Sequence, residues 1–136
     1  MLASINLSKG IIVTVANRIG ALADMSKILA DNGINIEAVK GYAEKNEAKI
    51  MLVTDENLRT INALKKGGYQ SVVESEIIIL ELENKPGALN NITAKLASEK
   101  IDIKFIYGTT CRGSCPAKII LSTSDNAKAL VVLKGK

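Results

Sequence analysis

Asn17-Arg18-Ile19-Gly20-Ala21-Leu22 returns later in the chain as Asn84-Lys85-Pro86-Gly87-Ala88-Leu89, and this repetition decides the fold. Each copy follows an apolar run that reads as a strand, residues 11–15 and 77–82, and opens a segment with helical periodicity. A glycine at a strand-to-helix turn lets the backbone bend and lets another group approach it closely. The helix start behind it offers unpaired N–H donors and a positive dipole end. That combination suits a carboxylate or a phosphate. Glycine at such a turn also serves packing alone, so the turn by itself does not decide between binding and structure.

The repeat extends well beyond the turn. The offset of 67 that relates Gly20 to Gly87 also maps Met25 to Ile92, Leu29 to Leu96, Ala30 to Ala97, Ile34 to Ile101, Ile36 to Ile103 and Gly41 to Gly108. Fixed-period self-similarity of this kind marks a repeated structural unit. In the first copy Leu22, Met25 and Leu29 fall on one helix face. Asn32-Gly33 ends that helix, with Gly33 suited to the left-handed C′ position. Ile34, Ile36 and Ala38 then alternate as a strand with one inward face. A turn around Glu44-Lys45-Asn46 leads to a strand over 50–53. Asp55 is the expected N-cap of a second helix carrying Leu58, Ile61 and Leu64. Gly67-Gly68 stops that helix before a strand over 69–73.

The second copy repeats the order with three expected differences. Its first helix, with Leu89, Ile92 and Leu96, ends at Lys100 rather than at a glycine, so a different cap is expected. Its hairpin, between a strand carrying Ile101, Ile103, Phe105 and Tyr107 and one over 117–122, reads as three residues longer, because Asp125 follows Asp55 by 70. Its last helix, from about 126 with Leu130 and Leu133, has no strand after it. Residues 2–7 supply an apolar segment ahead of the first strand. A swap, in which this segment completes the second copy's sheet, covers an otherwise bare sheet edge; a frayed tail is the alternative.

The chain has 136 residues, 47% hydrophobic but only 3% aromatic, so its core is built from Ile, Leu, Val and Ala. Two units this small have thin cores and are expected to pair side by side, within the chain and in a homodimer. The net charge of +4 is spread over interleaved lysines and acids, with Lys128, Lys134 and Lys136 making the tail locally basic. A nucleic-acid reader concentrates its charge and shows a motif, so no nucleic acid is expected as partner. No run is long enough to cross a membrane, and no basic segment precedes an apolar one at the start; a cytoplasmic location is expected. There is no His, which removes the commonest general base and metal ligand.

An apolar strand, Asn-x-Pro-Gly-Ala-Leu, a helix and then Ile-Asp/Asn-Ile resembles the ACT domain. The second copy matches with Glu83-Asn84-Lys85-Pro86-Gly87-Ala88-Leu89, Leu96-Ala97 and Ile101-Asp102-Ile103. The first matches with Asn17 to Leu22, Ile28-Leu29-Ala30 and Asn32-Gly33-Ile34-Asn35-Ile36-Glu37, departing at Ile19 where the family usually has Pro. The resemblance implies an α+β fold of two ferredoxin-like βαββαβ modules, with antiparallel sheets and helices on one face. It implies module boundaries at 9–75 and 76–136, with 1–8 as the candidate fourth strand of the second. It also implies a stand-alone sensor or regulatory subunit, without catalysis or cofactor, that binds an amino acid or similar small metabolite. The site residues it implies are Asn17, Arg18, Ile19, Gly20, Ala21 and Leu22, and Asn84, Lys85, Pro86, Gly87, Ala88 and Leu89. A ligand-free assembly module, partnering a metabolic enzyme or regulator, is the alternative.

Other constellations are weaker. Cys111-Arg112-Gly113-Ser114-Cys115 lies in the longer hairpin loop. Inert thiols, a disulfide or redox switch across the loop and a metal shared between chains all fit, although a cytosolic chain normally keeps thiols reduced. A zinc site wants about four ligands, which one chain without His and with two Cys does not supply as thiolates and imidazoles. RNA-binding sheets need aromatics on their central strands, and 11–15, 50–53, 77–82 and 117–122 carry none. Small acyl-phosphate hydrolases need an arginine at the turn, for which only Arg18 qualifies.

Overall fold

The computed structural model describes residues 2–135; Met1 and Lys136, the last lysine of the basic tail, lie outside the described residues. In chain order the elements are β1 (Leu2–Ala16), α1 (Ala21–Asp31), β2 (Ile36–Glu44), β3 (Glu47–Thr54), α2 (Asn57–Lys66), β4 (Ser71–Leu82), α3 (Ala88–Ser98), β5 (Ile103–Thr109), β6 (Ala117–Thr123) and α4 (Asn126–Lys134). The fold is α+β. The pairings β1–β3, β2–β3, β4–β6 and β5–β6 are all antiparallel.

Contacts divide the chain into two compact units, one of residues 9–75 and one of the described parts of 1–8 and 76–136. The long strands β1 and β4 each contribute one half to each unit. In the unit of 9–75 the strand order is β2-β3-β1-β4. Alternate residues Ile11 and Val13 of β1, and Ile50 and Leu52 of β3, turn one face inward. Met25 and Leu29 of α1 and Leu64 of α2 cover that face. Leu29 is only 1% exposed; truncating a buried leucine to alanine costs about 2–5 kcal/mol.

In the other unit the order is β1-β4-β6-β5. Ile78, Leu80 and Leu82 of β4 and Leu121 of β6 pack under Ile92 and Leu96 of α3 and Leu133 of α4. Leu2 and Ile5 pack against this cluster, and Ser4 Oγ donates to Glu81 Oε1 at 3.0 Å.

The helix stripes are phased differently from the expectation. Ala21, Met25 and Leu29 are the buried residues of α1, and Ala88, Ile92 and Leu96 those of α3. Leu22 and Leu89 lie off these stripes, 43% and 49% exposed. On α2 the buried pair is Thr60 and Leu64, whereas Leu58 is 72% exposed. On α2 the steps of three read from the sequence drift by about 60° each around a helix of 3.6 residues per turn, whereas the step of four from Thr60 to Leu64 drifts by only about 40°. Thr60 tolerates burial because its hydroxyl donates to Glu56 O at 2.8 Å and meets Thr54 Oγ1 at 2.9 Å. The corresponding buried residue on α4 is Ala129.

Three further expectations are corrected. Asp55 does not cap α2, whose N-cap is Glu56; its carboxylate accepts from the Asn35 N–H at 3.1 Å. Ser124 makes the same contact to the Asp102 N–H at 3.0 Å, and Asp125 caps α4 through the Lys128 N–H at 3.0 Å. Asp55 therefore corresponds to Ser124, and the second hairpin is two residues longer, not three. Finally, α3 ends with the same geometry as α1. Gly33 (φ 69°) and Lys100 (φ 57°) are both left-handed. Their N–H groups donate to Ala30 O and Ala97 O at 3.0 Å, and the next residues, Ile34 and Ile101, return to Leu29 O and Leu96 O at 2.9 and 3.0 Å. This is the Schellman pattern, with a lysine where glycine is usual.

Candidate functional site

Both repeated turns have one geometry. The Ala21 N–H donates to Arg18 O at 3.4 Å, and the Ala88 N–H to Lys85 O at 3.3 Å. Gly20 sits at φ 91°, ψ −2° and Gly87 at φ 87°, ψ −12°. A bond from i+3 to i over such an i+2 residue is a type II turn, which requires glycine at i+2 and favours proline at i+1. Pro86 and Gly87 meet both demands. Ile19 takes the proline position and is fully exposed, at 101%.

The glycines are the N-caps of α1 and α3, and no side chain caps either helix. The first N–H of each helix, of Ala21 and of Ala88, closes its turn, so the donors that a helix start offers a ligand here are those of the next residues, Leu22 and Ala23 and Leu89 and Asn90. This is the donor array that binds anions at helix starts.

Asn17 and Asn84 do a different job from the one expected of ligand contacts. The Asn17 amide nitrogen donates to Lys45 O at 3.3 Å, and its backbone N–H donates to Asn46 O at 2.8 Å. The Asn84 amide nitrogen reaches Cys111 O at 3.1 Å and Gly113 O at 3.4 Å. Each asparagine ties its turn to the neighbouring hairpin loop. The recurrence of Asn at both positions was visible in the sequence; its partner was not.

Charge differs between the turns. Arg18 Nη2 is paired with Asp24 Oδ2 at 2.6 Å, and Nη1 donates to Ile19 O at 3.3 Å. Hydrogen bonding to Asp24, followed by its charge, pushes the Arg18 guanidinium above its ordinary pKa. The guanidinium therefore serves a carboxylate of its own chain, which leaves little of it for a phosphate. At the second turn Asn91 stands where the first has Asp24. Lys85 Nζ lies 3.3 Å from Glu83 Oε2.

A depression of about 220 Å³ opens beside the second turn, lined by Asn84, Lys85, Ala88 and Leu89 and, across from them, by Gly108, Thr109, Thr110 and Ile119. A second, of about 260 Å³, borders Asn84 and Lys85 with Gly113, Ser114 and Pro116. Drug-sized ligands occupy pockets of about 300–1,000 Å³, so either hollow suits only a small molecule. Gly108 makes the wall close-fitting: a Cβ there would lie 2.5 Å from Lys118 O and from Ile119 Cδ1.

The hairpin loop carries the two cysteines. They are joined as a disulfide, Cα–Cα 5.6 Å, so of the three readings of this pair the disulfide is the one formed. Among the described residues no group of three or more His, Cys, Asp or Glu is placed to hold a metal ion.

Sequence reasoning also missed a pair of cationic caps. Arg59 Nη2 donates to Asn32 O at the end of α1, and Lys128 Nζ donates to Glu99 O at the end of α3 at 3.2 Å. Lys128, read as part of a basic tail, therefore closes a helix C-terminus.

Residues 10–59 match the family model of the ACT domain. The ACT match contains the second half of β1, the first turn, α1 and the β2–β3 hairpin that Asn17 grips. Comparison with curated proteins found no match. Among solved structures, a protein of Bacteroides thetaiotaomicron is 21% identical with a TM-score of 0.89, over 96% of this chain and 89% of that one. The ligand-free regulatory subunit of aspartate kinase from Thermus thermophilus is 12% identical with a TM-score of 0.68, over 99% and 98%. The corresponding subunit from Thermus flavus is 14% identical with a TM-score of 0.60, over 98% and 94%. At these identities the likeness is one of fold. Among the described residues no helix is long and apolar enough to cross a membrane.

Proposed function

We propose that the chain is a regulatory protein of two ACT-like βαββαβ modules, residues 9–75 and 76–136, with 1–8 as the fourth strand of the second. Its task is to bind a small amino acid or similar metabolite, without catalysis and without a cofactor. The observation that carries this reading is the uncapped start of α3 behind the Gly87 turn, opening on a hollow of about 220 Å³. The α-carboxylate would sit on the N–H groups that follow Gly87, where dipole and donors both favour negative charge. Leu89 and Ile119 offer an apolar wall for a side chain. Lys85, Pro86 and Ala88 shape the rim, and Asn84 keeps a carbonyl oxygen that can accept from an ammonium. The first turn, Asn17 to Leu22, offers the same donors.

The ACT match over 10–59 and the aspartate kinase regulatory subunits of similar fold support a sensor that acts on a partner enzyme or regulator. A homodimer is the natural assembly for units with thin cores and open sheet edges. Ligand would act by binding one arrangement of modules better than another, since equal affinity shifts nothing.

A second reading fits the first turn. Ile19 is apolar and fully exposed at its tip, and Leu22 on the same turn is 43% exposed; together they would suit contact with another protein. On that reading the chain is an assembly module for an enzyme or regulator.

Thermal unfolding against each of the twenty amino acids at millimolar concentration tests the proposal. A ligand at a hundred times its Kd adds about 2.7 kcal/mol, worth roughly 2–8 °C at this size. A shift for one chemical class supports the sensor. No shift for any, together with co-purification of a catalytic subunit, replaces it with the assembly reading.

A further inference from the structure

We infer that the Cys111–Cys115 disulfide is a redox latch that sets the affinity of the second turn for its ligand. This inference rests on the binding reading above and adds its regulation. Both cysteines are exposed, so a dithiol reductant can reach them. The loop they close is held to the turn by Asn84, whose amide nitrogen donates to Cys111 O and Gly113 O at 3.1 and 3.4 Å. Within the loop, Thr110 Oγ1 donates to Cys115 O at 3.2 Å. Asn84 thus touches the loop on one side and lines the hollow on the other.

The first unit shows what the latch replaces. Its hairpin pairs through Glu44 and Glu47, leaving a loop of only Lys45 and Asn46. Such a loop is short enough to stay ordered without a cross-link. The second hairpin pairs through Thr109 and Lys118, and β6 begins at Ala117, paired with Leu82 of β4, which leaves residues 110–116 outside the strands, Gly113 among them at φ 110°. Opened, this loop regains the backbone freedom that the ring removes, and Asn84 loses fixed carbonyls to grip.

The chemistry balances with a dithiol as reductant. Its thiolate attacks one sulfur of the Cys111–Cys115 bond, giving a mixed disulfide and releasing the other sulfur as a thiolate. The reductant's second thiol then displaces the remaining cysteine. The protein gains two electrons and two protons as two thiols, and the reductant leaves as its cyclic disulfide.

The test compares the oxidised protein, the same protein reduced with dithiothreitol, and a Cys111→Ser/Cys115→Ser variant kept non-reducing. Each is dialysed against an equimolar mixture of the nineteen amino acids other than cysteine, whose thiol would itself open the disulfide, and bound species are quantified by mass spectrometry. Circular dichroism confirms that all three are folded, and the chemically reduced wild type covers a variant that fails to fold. Closing a ring this small is worth roughly ten- to thirtyfold in the equilibrium that orders the loop, which sets the ceiling on what it can add to affinity. The expected result is retention by the oxidised protein, about tenfold weaker in both open forms. Amide exchange should accelerate in the open forms over 84–88 and not over 17–21. Equal retention in oxidised and open forms overturns the latch and leaves the binding reading standing. No retention in any form overturns the binding reading, and the latch with it.

Discussion

Exchanging the turn residues Ile19 and Pro86 tests whether the two turns are one structure. The perturbation is Ile19→Pro, with Pro86→Ala as its reciprocal. Gly20 and Gly87 differ by 4° in φ (91° and 87°), and the closing bonds are 3.4 and 3.3 Å. A proline at 19 would therefore meet the backbone that Pro86 already occupies. Lys85 shows that the residue before it keeps its carbonyl bond to the helix start, so Arg18 can do the same. Ile19 is fully exposed, so removing its side chain loses no packing. What remains is the reduced conformational freedom of the unfolded chain, about 0.4–1 kcal/mol in favour of the folded state. Pro86→Ala should lose a similar amount. Equilibrium urea unfolding followed by circular dichroism reads both, and the melting shifts should be roughly 1–6 °C in opposite directions. A loss of stability in Ile19→Pro would refute the reasoning, because it would mean that the first turn is not of type II.

Lys100→Gly removes a left-handed lysine (φ 57°). Relief of about 1–2 kcal/mol of backbone strain, less glycine's own entropy cost, should leave about 0.5–1 kcal/mol of stabilisation, read by urea unfolding. Gly108→Ala should cost about 1–3 kcal/mol by overpacking, because its Cβ would meet Lys118 O and Ile119 Cδ1 at 2.5 Å. Gly41→Ala, whose nearest neighbour would be 3.8 Å away, is the control and should change stability far less. Burial raises the Tyr107 pKa above its ordinary value of 10.0. In a phenolate titration at 295 nm, Tyr107→Phe should remove a component that ionises above the ordinary tyrosine value. With the folded pKa the higher, Tyr107 contributes stability that is intact below about pH 10 and lost as pH rises through the folded value.

The parts of this fold that sequence reveals are those governed by local period. Alternation in β1, β3, β4 and β6 and the glycine turns marked the elements, since side-chain direction there follows from backbone geometry alone. Helix phase was harder. Leu58 drew the α2 stripe outward, while the buried position went to Thr60, whose fitness depends on a hydroxyl partner at Thr54. Lys100 carried no signal for left-handed backbone; the fold imposes it, because Ile101 must return to Leu96 just as Ile34 does to Leu29. The acidic residues misled the alignment of the hairpins, since a serine at 124 does the work of an aspartate at 55. At the candidate site the repeated asparagines were conspicuous, yet the carbonyls they hold belong to hairpin loops 27 to 29 residues away.

The same comparison shows why two turns of one geometry need not have one function. At the first, Asp24 sits in the opening turn of α1 and is paired with Arg18. Its carboxylate already faces the positive end of the helix, where an anionic ligand would have to compete with it. The neighbouring hairpin loop is only Lys45 and Asn46. At the second, Asn91 stands in the place of Asp24, the longer loop gripped by Asn84 adds a border, and the carboxylate that lines the hollow, Glu83, is paired with Lys85. The exchange of Asp24 for Asn91 is worth something on the order of 0.3–1 kcal/mol to an anion at the second helix start. Two sites that began as copies would thus separate into one that receives a small molecule and one whose exposed Ile19 is free to meet another surface. Asp24→Asn tests the electrostatic half of that argument: it should raise the first turn's affinity for small carboxylates toward the second's, and no change would mean that the wall, not the charge, sets the difference.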